Sequence, residues 1–243
     1  MRIITPIKYF ADNCDDWLAK DPPSWFSEAK KRYEAVPSIE MKLGTVKSCP
    51  SFVRIFRNSL VLKAPCDFMF AMSPDEQYVM TEFAGNSNFM GVDHHSLEHQ
   101  IDQNWGSKHV NFKFSFQFKI ICESQSQCML LPPEYHFDEE PPIVKTMIGV
   151  LDLLPNKGIE FNLNMVANKQ DLFEAKEVIV KKGTPLAYLY FPFGESISIE
   201  YVDRSEYENL SFIRTSFGAD YLKQVMTPMR KSPQTQDALI LGG

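Results

Sequence analysis

The sequence predicts a mainly β protein: an antiparallel two-sheet sandwich, of jelly-roll or β-clip type, with short helices near both ends. Three observations carry this expectation. Val110 to Ile120, VNFKFSFQFKI, alternates apolar and polar residues at a period of two, the pattern of a strand with one buried and one wet face. Met147 to Phe193 reads as strand, turn, strand, tight glycine turn, strand. It opens with Gly149-Val150-Leu151-Asp152, passes through Gly158 to Leu163 and closes on Val178 to Leu189, which contains Lys181-Lys182-Gly183. The chain also carries 19 Phe, and rings suit pleated faces.

Taken in order, Met1 to Tyr9 is expected as a short strand or an extended arm. Asp21-Pro22-Pro23 then opens a helix over Ser24 to Glu34, because proline is tolerated in the first turn, where its missing N–H has no partner. Trp25, Phe26, Ala29 and Tyr33 share one face of that helix and should dock on the sheet. Val53 to Phe56 and Ser59 to Lys63 read as strands about a short turn, continuing in Asp67 to Met72. Ser73-Pro74-Asp75-Glu76 is a turn signal, and Gln77 to Glu82 is the return strand of a hairpin. Ala84 to Asn104 reads as a long polar loop with a helical turn near Ser96 to Ile101. After the central strand, Glu123 to Gln127 turns and Cys128 to Leu131 returns, stopped by Pro132-Pro133. Asp138 to Pro142 is an acidic, proline-rich loop. Ser196 to Tyr201 is a strand, and helical stretches follow at Ser205 to Leu210 and near Ala219 to Met226. The expected organisation is one β-rich domain over residues 1–226, with its helix near 24–34 and its β core near 49–201. Residues 227–243 form a flexible tail.

Composition limits the function classes. A net charge of −6 gives no broad attraction for phosphate backbones, so no nucleic-acid partner is expected. The basic cluster Lys30-Lys31-Arg32 reads as an exposed helix face. The five cysteines, Cys14, Cys49, Cys66, Cys122 and Cys128, are odd in number and scattered, which suits free thiols in a reducing cytoplasm. No apolar run reaches the roughly twenty residues that span a bilayer, and the opening residues lack the apolar stretch of a signal peptide. No membrane partner is expected.

The catalytic signals are few. His95-Ser96-Leu97-Glu98-His99 fits the H-x-x-E-H spacing of inverted zinc proteases. On a helix, His95 and His99 would share one side and could hold a metal, with Glu98 as base. That motif belongs inside a long apolar helix, whereas here it sits in a polar stretch, so a surface histidine cluster is the plainer expectation. His136-Phe137-Asp138 begins an H-x-D iron site, but no histidine follows position 136. Cys49-Pro50 and Pro65-Cys66 have no base in the local sequence to activate a thiol. The expectation leans away from an enzyme, and no cofactor is expected.

Two resemblances add to this reading. Thr45 to Phe52 with its Cys49-Pro50, Lys63-Ala64-Pro65-Cys66-Asp67, His95, Lys182-Gly183-Thr184-Pro185 and Pro192-Phe193 together resemble an uncharacterised family common in tailed-phage genomes, over most of the chain. That resemblance implies a viral or prophage origin and the cytoplasm of an infected host, leaves a place in the virion open, and brings no assigned activity. The chain departs from it at Glu123 to Gln127, where relatives carry an aromatic-glycine turn. Over Ile121 to Leu189, the Gly149 to Asp152 segment, Gly158 and Lys181-Lys182-Gly183 are similar to the trimeric dUTPase and dCTP deaminase group. There the corresponding hairpin holds the nucleoside and its Asp orients the attacking water, a role that would fall to Asp152. The stacking Tyr expected three residues later is Pro155, and no Arg lies in Leu131 to Glu134, where the phosphate-binding segment should fall.

Three functional expectations result. The first is a phage-type accessory module that binds a protein partner or assembles with itself as a homo-oligomer. The second is a nucleotide- or small-molecule-binding protein, sponge or hydrolase, with His95, His99, Asp152 and Tyr188 lining the site. The third is a metal-dependent hydrolase using His95, Glu98 and His99.

Overall fold

The computed structural model describes residues 1–6, 17–35, 49–72, 79–83, 90–94, 108–137, 142–156, 158–194, 196–210 and 212–213. Strands β1 (Arg2–Pro6) and β2 (Leu18–Ala19) precede helix α1 (Ser24–Ala35). The predicted face of α1 holds: Phe26 is buried, and Trp25, Ala29 and Tyr33 are half-buried, while Lys31 and Arg32 are exposed. Helix α2 (Pro50–Arg57) stands where Val53 to Phe56 was expected as a strand. Pro50 fits the first helical turn, and Phe52, Val53 and Phe56 recur at helical spacing, which overrides the β preference of Val53 and Ile55.

Strands β3 (Ser59–Lys63), β4 (Phe68–Met72) and β5 (Val79–Phe83) follow. β4 and β5 pair antiparallel from Phe68 opposite Phe83 to Met72 opposite Val79, the predicted hairpin. Its turn, Ser73 to Glu76, lies outside the described residues. Strand β6 (Met90–His94) corrects the long-loop expectation at those residues, the rest of that stretch with its helical turn near Ser96 to Ile101 lying outside the described residues: it pairs antiparallel with β7 (His109–Ile121), Met90 opposite Phe116 and His94 opposite Phe112. Its neighbour β7 supplies the backbone partners, so β6 needs no strong local pattern. The chain continues through β8 (Ser126–Leu131), a 3-10 turn (Glu134–His136), β9 (Lys145–Thr146), β10 (Gly149–Leu153) and β11 (Gly158–Asn168). Helix α3 (Lys169–Ala175), β12 (Glu177–Val180), β13 (Pro185–Tyr190), β14 (Ser198–Val202), α4 (Arg204–Asn209) and β15 (Phe212–Ile213) complete it. Helix α3 interrupts what reads as strand and turn. Asn168, the last residue of β11, caps it by accepting the Gln170 backbone N–H at 2.8 Å, and Leu172 anchors it in the core.

The architecture is mainly β, with three mostly antiparallel sheets and short helices. The largest sheet runs β14-β1-β7-β11-β15, with β6 also on β7 and β9 also on β11. β7 and β11 are its spine, paired antiparallel from Ile120 opposite Ile159 to His109 opposite Asn168. The second sheet runs β10-β8-β13-β3-β2 and the third β12-β4-β5. The expected return of Cys128 to Leu131 onto the central strand is therefore corrected. β8 lies in the second sheet, so the chain crosses between sheets at Glu123 to Gln127. The glycine turn after β12 also crosses, from the third sheet to the second. Gly183 takes φ +85°, a backbone conformation that glycine reaches without Cβ strain. Asp67 holds this turn by accepting the Lys182 N–H at 2.7 Å and pairing with Lys181 Nζ at 2.9 Å, and these contacts hold its carboxyl below the usual range.

One aromatic core joins all three sheets. Phe112, Phe114, Phe116 and Phe118 of β7 meet Phe161 and Leu163 of β11, Leu62 and Leu189 of the second sheet, and Phe68 and Phe70 of the third. The ring centroids of Phe118 and Phe161 stack at 4.6 Å, and those of Phe70 and Phe112 meet at 4.6 Å with a tilt. The alternation of β7 points these rings inward as predicted, but its other face is not wholly wet. Lys119 is 2% exposed, because its Nζ donates to the carbonyls of Tyr207 at 2.6 Å and Leu210 at 3.2 Å, at the end of α4. A lysine there meets the partial negative charge of a helix C-terminus.

Candidate functional site

The second sheet has an outward face opposite the aromatic core, and its two halves are built differently. On β3 and β13, the outward residues Val61 and Tyr188 sit opposite each other and pack with Phe26 of α1 and Phe56 of α2. Trp25 joins them: its Nε1–H donates to the Tyr135 carbonyl at 2.7 Å, and its ring meets Phe56 edge-on at 5.6 Å. The 3-10 turn is thus tied to the helix pair. His136 extends the tie. Its Nε2 lies 2.8 Å from the Asp21 carbonyl, which can only accept, so Nε2 carries the proton. Its Nδ1, 2.8 Å away from the Tyr188 hydroxyl, then accepts from it. Burial, opposed by the Asp21 carbonyl and carboxylate and assisted by Lys63, keeps His136 below the ordinary imidazole range. Tyr188 is 1% exposed, and burial raises its phenol far above the ordinary value, so it acts as a neutral donor.

On β8 and β10 the same face has a different character. Gln127 and Met129 of β8 lie opposite Asp152 and Val150 of β10. Asp152 accepts a hydrogen bond from Gln127 Nε2 at 2.9 Å. Val150 is 53% exposed, and Ile148 just before the strand is 70% exposed. Among the described strands, β10 pairs with β8 alone, so its far edge is open.

The structure therefore puts Asp152 and Tyr188 on one face but does not bring them together. Their partners on β8, Gln127 and Leu131, are four residues apart, about 13 Å along a strand. Tyr188 lies beneath the helix pair, and Asp152 lies on the open half. Nor do β10 and β11 form the nucleoside-holding hairpin, since β10 pairs with β8 and β11 with β7. His95, Glu98 and His99 lie outside the described residues. Among the described residues, no three His, Cys, Asp or Glu side chains gather where they could hold a metal. Cys49 and Cys66 are half-buried thiols, and Cys122 and Cys128 are buried ones. Cys14 lies outside the described residues.

A separate pocket opens where β9, β11, β12 and β13 meet the segment that follows β8. Pro132, Pro133, Val144, Met165, Val180 and Leu186 give it apolar walls, with Glu134 and Lys145 also in its lining. It holds about 390 Å³ of empty space, its open mouth included. Thr146 contributes little polarity there, because its hydroxyl is spent on the Leu186 carbonyl. Neither Asp152 nor Tyr188 lines this pocket.

Sequence reasoning missed the His136–Tyr188–Trp25 assembly. The one local signal is the run Glu134-Tyr135-His136-Phe137 after Pro132-Pro133, dense in rings directly after a strand stop. No known family model matches the chain, and no curated protein matches it. No described helix is long and apolar enough to cross a membrane.

Proposed function

We propose that the chain is a non-catalytic β-sandwich accessory module of phage type, which acts by binding a protein partner or by assembling with itself. The sandwich reading is supported by the core that the sheets share. The origin is supported by the tailed-phage resemblance. The single observation that carries the binding reading is the open edge of β10, with Ile148 and Val150 exposed beside it.

Natural sheets blunt their edges with charge, proline or shortness. Among the described strands, most other edges follow that rule, while β5 and β6 are further edges of five residues that each carry one acidic residue, Glu82 and Asp93. β2, β9 and β15 have two residues each, β14 carries Glu200 paired with Arg2 at 3.2 Å, and β12 begins with Glu177 between Lys176 and Lys181. β10 has neither lysine nor proline, and its one charge, Asp152, is already bonded to Gln127. Such an edge offers backbone hydrogen bonds and apolar side chains to a strand of a partner. Among the described candidates, Tyr188 and His136 bond to each other and Asp152 to Gln127, which supports a structural use of these side chains.

The test is light scattering on the purified chain together with capture of partners from infected cells, for the native protein and for Val150→Lys. The native protein is expected to form an oligomer or retain a partner, and the variant to lose it. A strict monomer that retains nothing refutes the reading.

The apolar pocket favours a second reading, a small apolar ligand. A ligand that binds only the folded state raises the unfolding temperature. A thermal-shift screen should then find stabilisation by small apolar compounds and, if the dUTPase-like reading holds, by nucleotides with Mg²⁺. No stabilisation by either class at millimolar concentration removes this alternative.

A further inference from the structure

The geometry points to a pH-sensitive clasp: His136 fastens the 3-10 turn and the helix pair α1–α2 over the second sheet, and its protonation releases them. This goes beyond the binding reading and does not depend on it. One imidazole joins three parts of the chain. Its Nε2–H donates to the Asp21 carbonyl ahead of α1, its Nδ1 accepts from Tyr188 on β13, and its backbone belongs to the 3-10 turn. The adjacent Tyr135 carbonyl receives the Trp25 indole N–H, and the Tyr135 ring meets Phe52 and Phe56 of α2 at 5.3 and 5.9 Å. If the imidazole lets go, the turn and the helices lose a shared anchor.

Protonation strikes this anchor directly. A second proton turns Nδ1 from acceptor into donor, so the Tyr188 hydroxyl must accept and its own hydrogen loses its partner in a buried site. The charged groups around His136 offset this only in part. The Asp21 carboxylate favours a cation but is shared with Lys63 at 2.8 Å, which opposes one, and burial keeps the Tyr188 phenol neutral. Glu134, the other ionisable group of the turn, is exposed to solvent. The lowered imidazole basicity agrees with the geometry: the fold prefers the neutral ring.

Amide hydrogen exchange on the full chain tests the clasp, corrected for intrinsic rates, at about pH 7.5 and about pH 5, on either side of ordinary imidazole titration. Protection in residues 21–35 and 133–137 should fall about tenfold or more on acidification, while β7 stays protected. His136→Gln, which cannot titrate, should show no such pH dependence, whatever its level of protection. In wild type, the titration midpoint of the His136 ring, followed by NMR of histidine-labelled protein, should match the midpoint of the exchange change, a comparison that needs no variant to fold. Unchanged protection in wild type, an equal fall in His136→Gln, a fall shared by β7, or mismatched midpoints would each overturn the proposal.

Discussion

The outward face of the five-stranded sheet is covered on its β3–β13 half and open on its β8–β10 half. The covered half uses rings and a buried hydrogen-bond chain: Phe26, Phe56 and Tyr188 in contact, with His136 fixed between Tyr188 and Asp21. The open half carries Met129, Val150 and Asp152 on the same pleat, without that cover. One sheet thus presents a stabilised surface and an available surface a few strands apart. The alternation of the strands does not distinguish them. What differs is whether helices elsewhere in the chain reach them.

The comparison can be broken most readily at Phe56, which is 6% exposed and packs on Phe26 at 4.6 Å. Phe56→Ala should lose about 3–5 kcal/mol in urea unfolding, the usual range for a buried ring. A loss under about 1 kcal/mol would mean that the helix cover is incidental. A smaller effect is expected from acid. The folded state holds His136 below the ordinary value of about 6.5, so under that pH the unfolded chain binds more protons. This contribution is complete above about pH 6.5 and is lost as pH falls toward the folded-state value. The stability difference between wild type and His136→Gln should therefore shrink on acidification, and a constant difference would count against the fold's preference for the neutral ring.

On the open half, Asp152→Ala removes one hydrogen bond to Gln127 and should cost about 0.5–1.5 kcal/mol. A much larger loss would reveal a structural role that the open half is not expected to have. Val150→Lys should change stability least, within about 0.5 kcal/mol, while abolishing association in light scattering. Destabilisation beyond that range would show that Val150 supports the fold as well as the surface.

The sequence shows strands more readily than it shows their neighbours. The four phenylalanines at alternate positions of β7 announce a buried face, and the structure keeps it. Period two does not specify a partner, which is why β8 leaves the sheet of β7 instead of returning to it. Lys119 reads as wet because its interior position depends on carbonyls 88 and 91 residues away. Helix α3 is hidden because its cap, Asn168, doubles as the end of a strand. Helix α2 was legible in the spacing of Phe52, Val53 and Phe56, but its β-branched residues argued the other way. At the candidate site, the strand position of Asp152 could be read locally. The bond between His136 and Tyr188 spans 52 residues, and nothing in either neighbourhood announces it.

Strand β1 lies between β7 and β14, with Ile3 opposite Ile120 on one side and Ile199 on the other. The Met1 amino group donates to the Ser196 carbonyl, 195 residues along the chain. β1 therefore has both edges filled only once β14, far along the chain, is in place. Closing so long a loop adds entropy cost only logarithmically, but non-local strand pairing is slow. Completion of the largest sheet is thus expected as a late step of folding, because it waits on this long-range pairing.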